Sequence, residues 1–186
     1  NLHADPDAYR ELAANLVAHG TLGFDSDPPA RPEPTAYRAP LYPLLLWLCM
    51  QLPLPYALSI AILHGMLGLA TVALLVGWAR RFLTPRAAAL AGLWVACDPI
   101  LLHHSGLVMS ETLATFLALV ALVSLDRVEH GRTPLRAAWA GASMSLAALC
   151  RPVFLLPLGV AGFVLLLRPS AANDNPRARR ASEGEP

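Results

Sequence analysis

The chain has 186 residues, of which 55% are hydrophobic and 15% charged, with a formal net charge of +1. Soluble domains of this size carry roughly 25% charged residues, and residues 39–79 hold no Asp, Glu, Lys or Arg at all. This argues against a water-soluble fold, excludes a disordered, collagen-like or disulfide-stapled chain, and gives no electrostatic case for nucleic acid binding.

The polar residues 1–40 read as one unit. Asp5 suits a helix N-cap, Pro6 the first helical position and Gly20 the C-terminal stop. Between them Tyr9, Leu12, Ala13, Leu16 and Val17 recur at helical spacing. That stripe is too short to span a bilayer and suits a helix lying on a membrane or on a partner. The following segment, 25–40, is rich in proline and reads as a loop.

The apolar part, 41–168, divides at its prolines and charges. Residues 41–52 are short for a span and read as interfacial or re-entrant. Residues 56–79 make a full span, 87–108 a second and 112–125 a third. Two further apolar runs, 137–150 and 152–167, are split by Arg151-Pro152. Residues 169–186 are a polar tail.

All 14 basic residues are Arg, and their distribution orients the chain. With 1–40 outside, the Arg-rich loops 80–86 and 126–136 fall inside. Reading the last two runs as a hairpin puts the tail inside as well. Asp5, Asp7, Asp98, His103, His104 and Glu111 then gather at the outer face. Ionisable residues at membrane depth are costly, which makes them functional candidates. Asp98-Pro99 reads as a helix kink or cap, and Ser110 as the cap for Glu111. Ala137, Gly141 and Ser145 form a small-residue face suited to helix packing. Cys49, Cys97 and Cys150 lack metal-binding spacing and read as small buried hydrophobes.

An ordered set of segments carries a resemblance. It runs Asp5-Pro-Asp-Ala-Tyr9, Pro34-Thr-Ala-Tyr-Arg38-Ala-Pro40-Leu-Tyr-Pro43, Ala79-Arg-Arg-Phe82, Ala96-Cys-Asp-Pro99, Ser110-Glu111-Thr-Leu113 and Leu149-Cys-Arg151-Pro152. In this order the chain resembles the GT-C superfamily of polyprenyl-phosphate-sugar-dependent glycosyltransferases. The relevant group contains the protein O-mannosyltransferases and the lipid A aminoarabinose transferases. The resemblance implies an all-α polytopic bundle with an external loop carrying a surface helix. It also implies a longer protein, of which this is the N-terminal part; Asn1 in place of Met agrees with that expectation.

By the same resemblance, an acidic residue before the surface helix is the catalytic base. Asp5 matches it best, with Asp7 as the alternative. Glu111 takes the position of a family carboxylate that orients the acceptor or binds a metal. Arg38 corresponds to the basic residue beside the donor phosphate, for which a guanidinium is suited by charge and geometry. Tyr9, Tyr42, His104 and Arg151 complete the candidate substrate-binding set. The aminoarabinose transferases carry an acidic residue directly before that basic one. Tyr37 stands there instead, which counts against a metal site of their kind.

The expected partners are a polyprenyl-phosphate-linked sugar, a protein, lipid or glycan acceptor, and membrane lipids, with no nucleic acid. The expected location is a bacterial inner membrane. No organic cofactor is expected, and a divalent metal stays open. The competing reading is a polytopic transporter or non-catalytic scaffold. Against it, no repeat relates 41–110 to 111–167, and the ionisable residues sit at one face rather than the midplane.

Overall fold

The computed structural model describes residues 5, 7–25, 32–130 and 133–167, with backbone alone at 158 and 165–167. Pro6, Arg31 and the tail from Arg168 lie outside the described residues. Within them the chain forms eight helices and one two-stranded sheet.

The first helix, α1 (Tyr9–His19), begins later than the sequence suggests. Its N-cap is Ala8, in the left-handed region at φ 57°, and the C-cap is the expected Gly20 at φ 68°. Asp5 still serves the helix end from further back. Its carboxylate accepts from the Tyr9 N–H at 2.9 Å and the Arg10 N–H at 2.7 Å. A turn, in which the Ala8 N–H meets the Asp5 carbonyl at 3.3 Å, brings the side chain around. Two charge-assisted bonds offset the strain of a left-handed alanine, roughly 1–2 kcal/mol.

The expected stripe is corrected too. Tyr9, Leu12, Ala13 and Asn15 are buried, while Val17 is exposed. The buried face turns toward Asn15 because its amide donates to the Gly23 carbonyl at 2.9 Å and to Asp25 Oδ1 at 3.0 Å.

A short sheet that the all-α expectation omits joins the residues just before the 25–40 loop to the loop itself. Strand β1 (Gly23–Phe24) pairs antiparallel with β2 (Glu33–Pro34), with Gly23 opposite Pro34. A Cβ on Gly23 would collide with the Glu33 backbone carbonyl, so this close approach requires glycine. The hairpin returns the chain to α1 and delivers Arg38 beside it.

The helical body then follows in chain order. Helix α2 (Leu41–Met50) is short, as expected, and packs against α1. Helix α3 (Tyr56–Ala79) coincides with the expected first span and is long and apolar enough to cross a membrane. The expected second span is broken: α4 (Pro85–Ala96) and α5 (Pro99–Ser105) meet at 51° and pass as a span only together. The break has a local cause. Asp98 Oδ1 accepts from the Ile100 and Leu101 N–H groups at 2.8 and 3.0 Å, and Pro99 opens the new helix.

Helix α6 (Glu111–Glu129) packs along α7 (Pro134–Cys150). A 3₁₀ turn (Pro152–Phe154) and α8 (Leu155–Leu167) follow, so the break at Arg151-Pro152 is present. Helices α4 and α7 each start on a Thr cap with Pro in the first turn, at Thr84-Pro85 and Thr133-Pro134.

Two packing expectations are corrected. The small face of Ala137, Gly141 and Ser145 is exposed; α7 instead buries Ala140, Ser143, Met144, Ala147 and Cys150. Cys49 and Cys150 are buried, but Cys97 is exposed where α4 ends.

One core joins the loop to the helices. Tyr9, Leu12 and Ala13 of α1 cluster with Tyr42 and Leu46 of α2, Ile60 of α3, Leu113 and Leu117 of α6, and Ala147 of α7. The opposite end of the bundle is tied through Asp126. It accepts from the Trp78 indole N–H at 3.2 Å and pairs with Arg81, while His130 Nδ1 lies 2.8 Å from the Asp126 carbonyl.

Between these ends, Gly92 of α4 abuts Val76 of α3 with no room for a side chain. Gly92→Leu is therefore expected to force α3 and α4 apart, at a cost of about 1–3 kcal/mol. A lowered unfolding midpoint in detergent, partly restored by adding Val76→Ala, is the outcome to look for.

Candidate functional site

Five segments distant in sequence meet at one end of the bundle. They are the start of α1, the chain from Arg38 into the start of α2, the first half of α3, the start of α6 and the end of α7. The core beneath them sets their positions. The Tyr9 and Tyr42 rings meet edge to face at 5.0 Å, and both are buried. The Tyr9 hydroxyl continues outward and shares a 3.3 Å hydrogen bond with Ser110 Oγ.

Ser110 is fully buried, and its side chain does not cap α6, contrary to the expectation. Its hydroxyl is engaged by Tyr9 instead, and this contact links α1 to the helical body.

Tyr42 is fixed from the other side. Its hydroxyl lies 3.0 Å from His64 Nε2, and His64 Nδ1 lies 2.9 Å from the Ser105 carbonyl. A carbonyl only accepts, so Nδ1 carries the proton and Nε2 accepts from Tyr42. His64 is buried in the middle of the site's support, and sequence reasoning passed over it. The signal was available: it is an ionisable residue inside a 24-residue apolar span.

Two ion pairs bracket the site. Arg38 Nη2 donates to Asp7 Oδ1 at 2.9 Å, and Arg151 Nη2 donates to Glu111 Oε1 at 2.8 Å. Each joins a loop residue or helix end to another segment, 31 and 40 residues away in sequence. The Arg38 guanidinium also lies over the Tyr37 ring at 5.0 Å and the Tyr9 ring at 5.7 Å. Tyr37 thus has a place here that sequence reasoning did not give it.

Each pair leaves one buried atom unused. Arg38 Nε and Glu111 Oε2 have no hydrogen-bond partner among the described residues. Buried polar atoms of this kind are costly unless a ligand or water satisfies them.

The two Arg residues open onto a cleft of about 330 Å³ lined by Tyr9, Tyr37, Arg38, Arg151 and Pro152. A second, larger and mostly apolar groove of about 670 Å³ runs beside it, past Leu12, Pro43, Ser145, Leu149 and Leu155. Arg38, Ala39 and Pro152 line both. Arg38 therefore stands at the junction of a polar cleft and an apolar groove.

The candidate residues are not all at this junction. Tyr9, Arg38 and Arg151 line the cleft, and Asp7 and Glu111 are attached to it through their arginines. Tyr42 supports it from below. Asp5 turns its carboxylate onto the first amides of α1. Burial pushes the Asp5 carboxyl above the ordinary carboxylate value, against the Arg10 and Tyr9 amides that pull it down. Burial likewise raises the Tyr9 phenol, keeping it neutral at physiological pH.

His104 lies elsewhere, lining a cavity between α3, α5 and α6. Asp98 caps α5. Among the described residues no group of three or more His, Cys, Asp or Glu is placed to hold a metal ion.

The Glu111–Arg151 pair is expected to couple α6 to α7 energetically. A double-mutant cycle of Glu111→Gln and Arg151→Met is expected to give a coupling of roughly 0.5–3 kcal/mol in unfolding measurements. Additive effects would show that the pair does no such joining.

One comparison with known families gives a match, and it begins after α1. Residues 37–176 match the family described as dolichyl-phosphate-mannose-protein mannosyltransferase. No curated protein and no solved structure matches the chain.

Proposed function

The chain belongs to the dolichyl-phosphate-mannose-protein mannosyltransferase family of membrane glycosyltransferases, and we propose that it takes part in moving a sugar from a polyprenyl-phosphate donor to an acceptor hydroxyl. In this reading the site faces the external side of a bacterial inner membrane, and the chain is the N-terminal part of a larger enzyme. The acceptor is a protein, lipid or envelope glycan hydroxyl.

The observation that carries the reading is the position of Arg38. A polyprenyl-phosphate sugar is an anionic head on a long apolar tail. Arg38 borders both a polar cleft and an apolar groove, and its Nε is buried without a partner among the described residues. A phosphate oxygen there would satisfy that donor while the prenyl chain lay along Leu12, Leu149 and Leu155. Arg151, on the far side of the cleft, supplies a second cation to the charge that grows on the leaving phosphate.

The chemistry is an in-line displacement. The acceptor oxygen attacks the anomeric carbon as the bond from that carbon to the phosphate oxygen breaks. The configuration inverts, polyprenyl phosphate leaves, and the acceptor proton passes to a carboxylate. Asp5 is assigned as that base. Its partly desolvated carboxyl is more basic than a solvated one, which suits proton abstraction. Asp7 holds Arg38 by its ion pair. Glu111, with Oε2 unpaired, orients the acceptor hydroxyl.

Radiolabelled sugar transfer from a polyprenyl-phosphate pool, in membranes containing the protein, tests this. Asp5→Asn is expected to lower transfer by roughly 10²–10⁴-fold. The base works only when deprotonated, so the rate should fall with acidification. The acid limb should lie above pH 3.8, because burial raises the Asp5 pKa from that value. Normal transfer by Asp5→Asn would remove the base role from Asp5. Normal transfer by Arg38→Met would remove the donor site from the junction.

A further inference from the structure

A second cavity, of about 430 Å³, lies between α3, α5 and α6, apart from the cleft and the groove. Its wall includes Gly65 and Gly68 of α3, where an added Cβ would meet nothing within 4 Å. The bend between α4 and α5 shapes its far side, through Val95, Ala96 and Leu101. Leu69 and Leu102, both largely exposed, also line it. The cavity therefore opens on the apolar outer surface of the helices rather than toward the polar end.

Its polar atoms are specific. His64 uses both ring nitrogens, on Tyr42 and on the Ser105 carbonyl. Thr71 and Thr115 donate to carbonyls of their own helices. Two polar atoms remain: His104 Nδ1 and Thr112 Oγ1 are buried with no hydrogen-bond partner among the described residues. Thr112 is only 9% exposed. Among the described residues no Arg, Asp or Glu lines the cavity, so a charged head group would meet no counter-ion from them.

We propose that this cavity binds one neutral, hydroxyl-bearing membrane lipid, whose hydroxyl bonds to His104 Nδ1 and Thr112 Oγ1 and whose chain leaves past Leu69 and Leu102. A hydroxyl is the smallest group that both donates and accepts, and it satisfies both orphaned atoms at once. The apolar lining takes the methylenes that follow it. The missing counter-ion separates this site from the donor phosphate site at Arg38. Two lipid classes share this chemistry, diacylglycerols and long-chain alcohols.

The test is photolabelling in membranes containing the protein. The probes are a diazirine diacylglycerol, a diazirine long-chain alcohol, and a diazirine phosphatidic acid as the charged counterpart. Labelled sites are mapped by peptide mass spectrometry. At least one neutral probe is expected to label α3 or α6, with phosphatidic acid roughly tenfold weaker.

Gly68→Leu fills the cavity and should reduce the label roughly tenfold; Thr112→Val, which keeps the shape, should reduce it roughly fivefold. The neutral probe that labels identifies the lipid class. Equal labelling by phosphatidic acid, labelling that survives Thr112→Val, or none by either neutral probe would overturn the proposal. Thr112→Val alone carries the test if Gly68→Leu does not fold. The readout is independent of sugar transfer, so failure here leaves the proposed reaction standing.

Discussion

Charge is scarce in this chain, and the fold spends it on joining segments. Arg38 meets Asp7 and Arg151 meets Glu111, each at less than 3 Å. Both pairs are partly solvated, so their Coulomb attraction alone contributes little, but each holds two separate segments together. The pairs therefore do more than their Coulomb attraction. They require the start of α1, the hairpin return, the start of α6 and the end of α7 to be in one place. Tyr9 and Ser110 complete the requirement with a buried hydroxyl pair.

The same logic operates at the opposite end. Asp126 ties α3 to α6 through Trp78 and Arg81. Near that end, Gly92 and Ala88 of α4 are buried. Gly92 meets Val76 of α3 with no room for a side chain, so the approach of the two helices depends on size. At the site end both cations are held by carboxylates, and Arg38 Nε is left without a partner among the described residues.

Much of this was legible in the sequence. The span over 56–79 was readable because 24 residues without Asp, Glu, Lys or Arg, most of them apolar, suit a helix of bilayer length. Asp98-Pro99 was readable as a cap because both residue types restrict the backbone locally. The start of α1 was misread because Asp5 caps from a turn rather than from the N-cap position, and spacing alone does not distinguish the two. The Thr-Pro starts of α4 and α7 carried a clear local signal that was passed over in favour of hydropathy.

The candidate site was legible only as a set of residues on one side. That Arg38 pairs with Asp7 depends on a hairpin two residues wide, and that Ser110 turns to Tyr9 depends on α1 packing on α2, where the Tyr9 ring meets Tyr42. His104 and Arg38 fell in one candidate substrate-binding set, but the chain breaks at Asp98 between α4 and α5 and His104 lines another cavity.

The central claim is that Arg38 is the point where an anionic head and an apolar tail are recognised together. Equilibrium binding of a polyprenyl phosphate to the purified protein, compared between wild type and Arg38→Met, tests it most directly. Loss of a charge-assisted contact of roughly 1.5–3 kcal/mol should weaken binding by roughly 10–100-fold. Unchanged affinity in Arg38→Met would contradict the account.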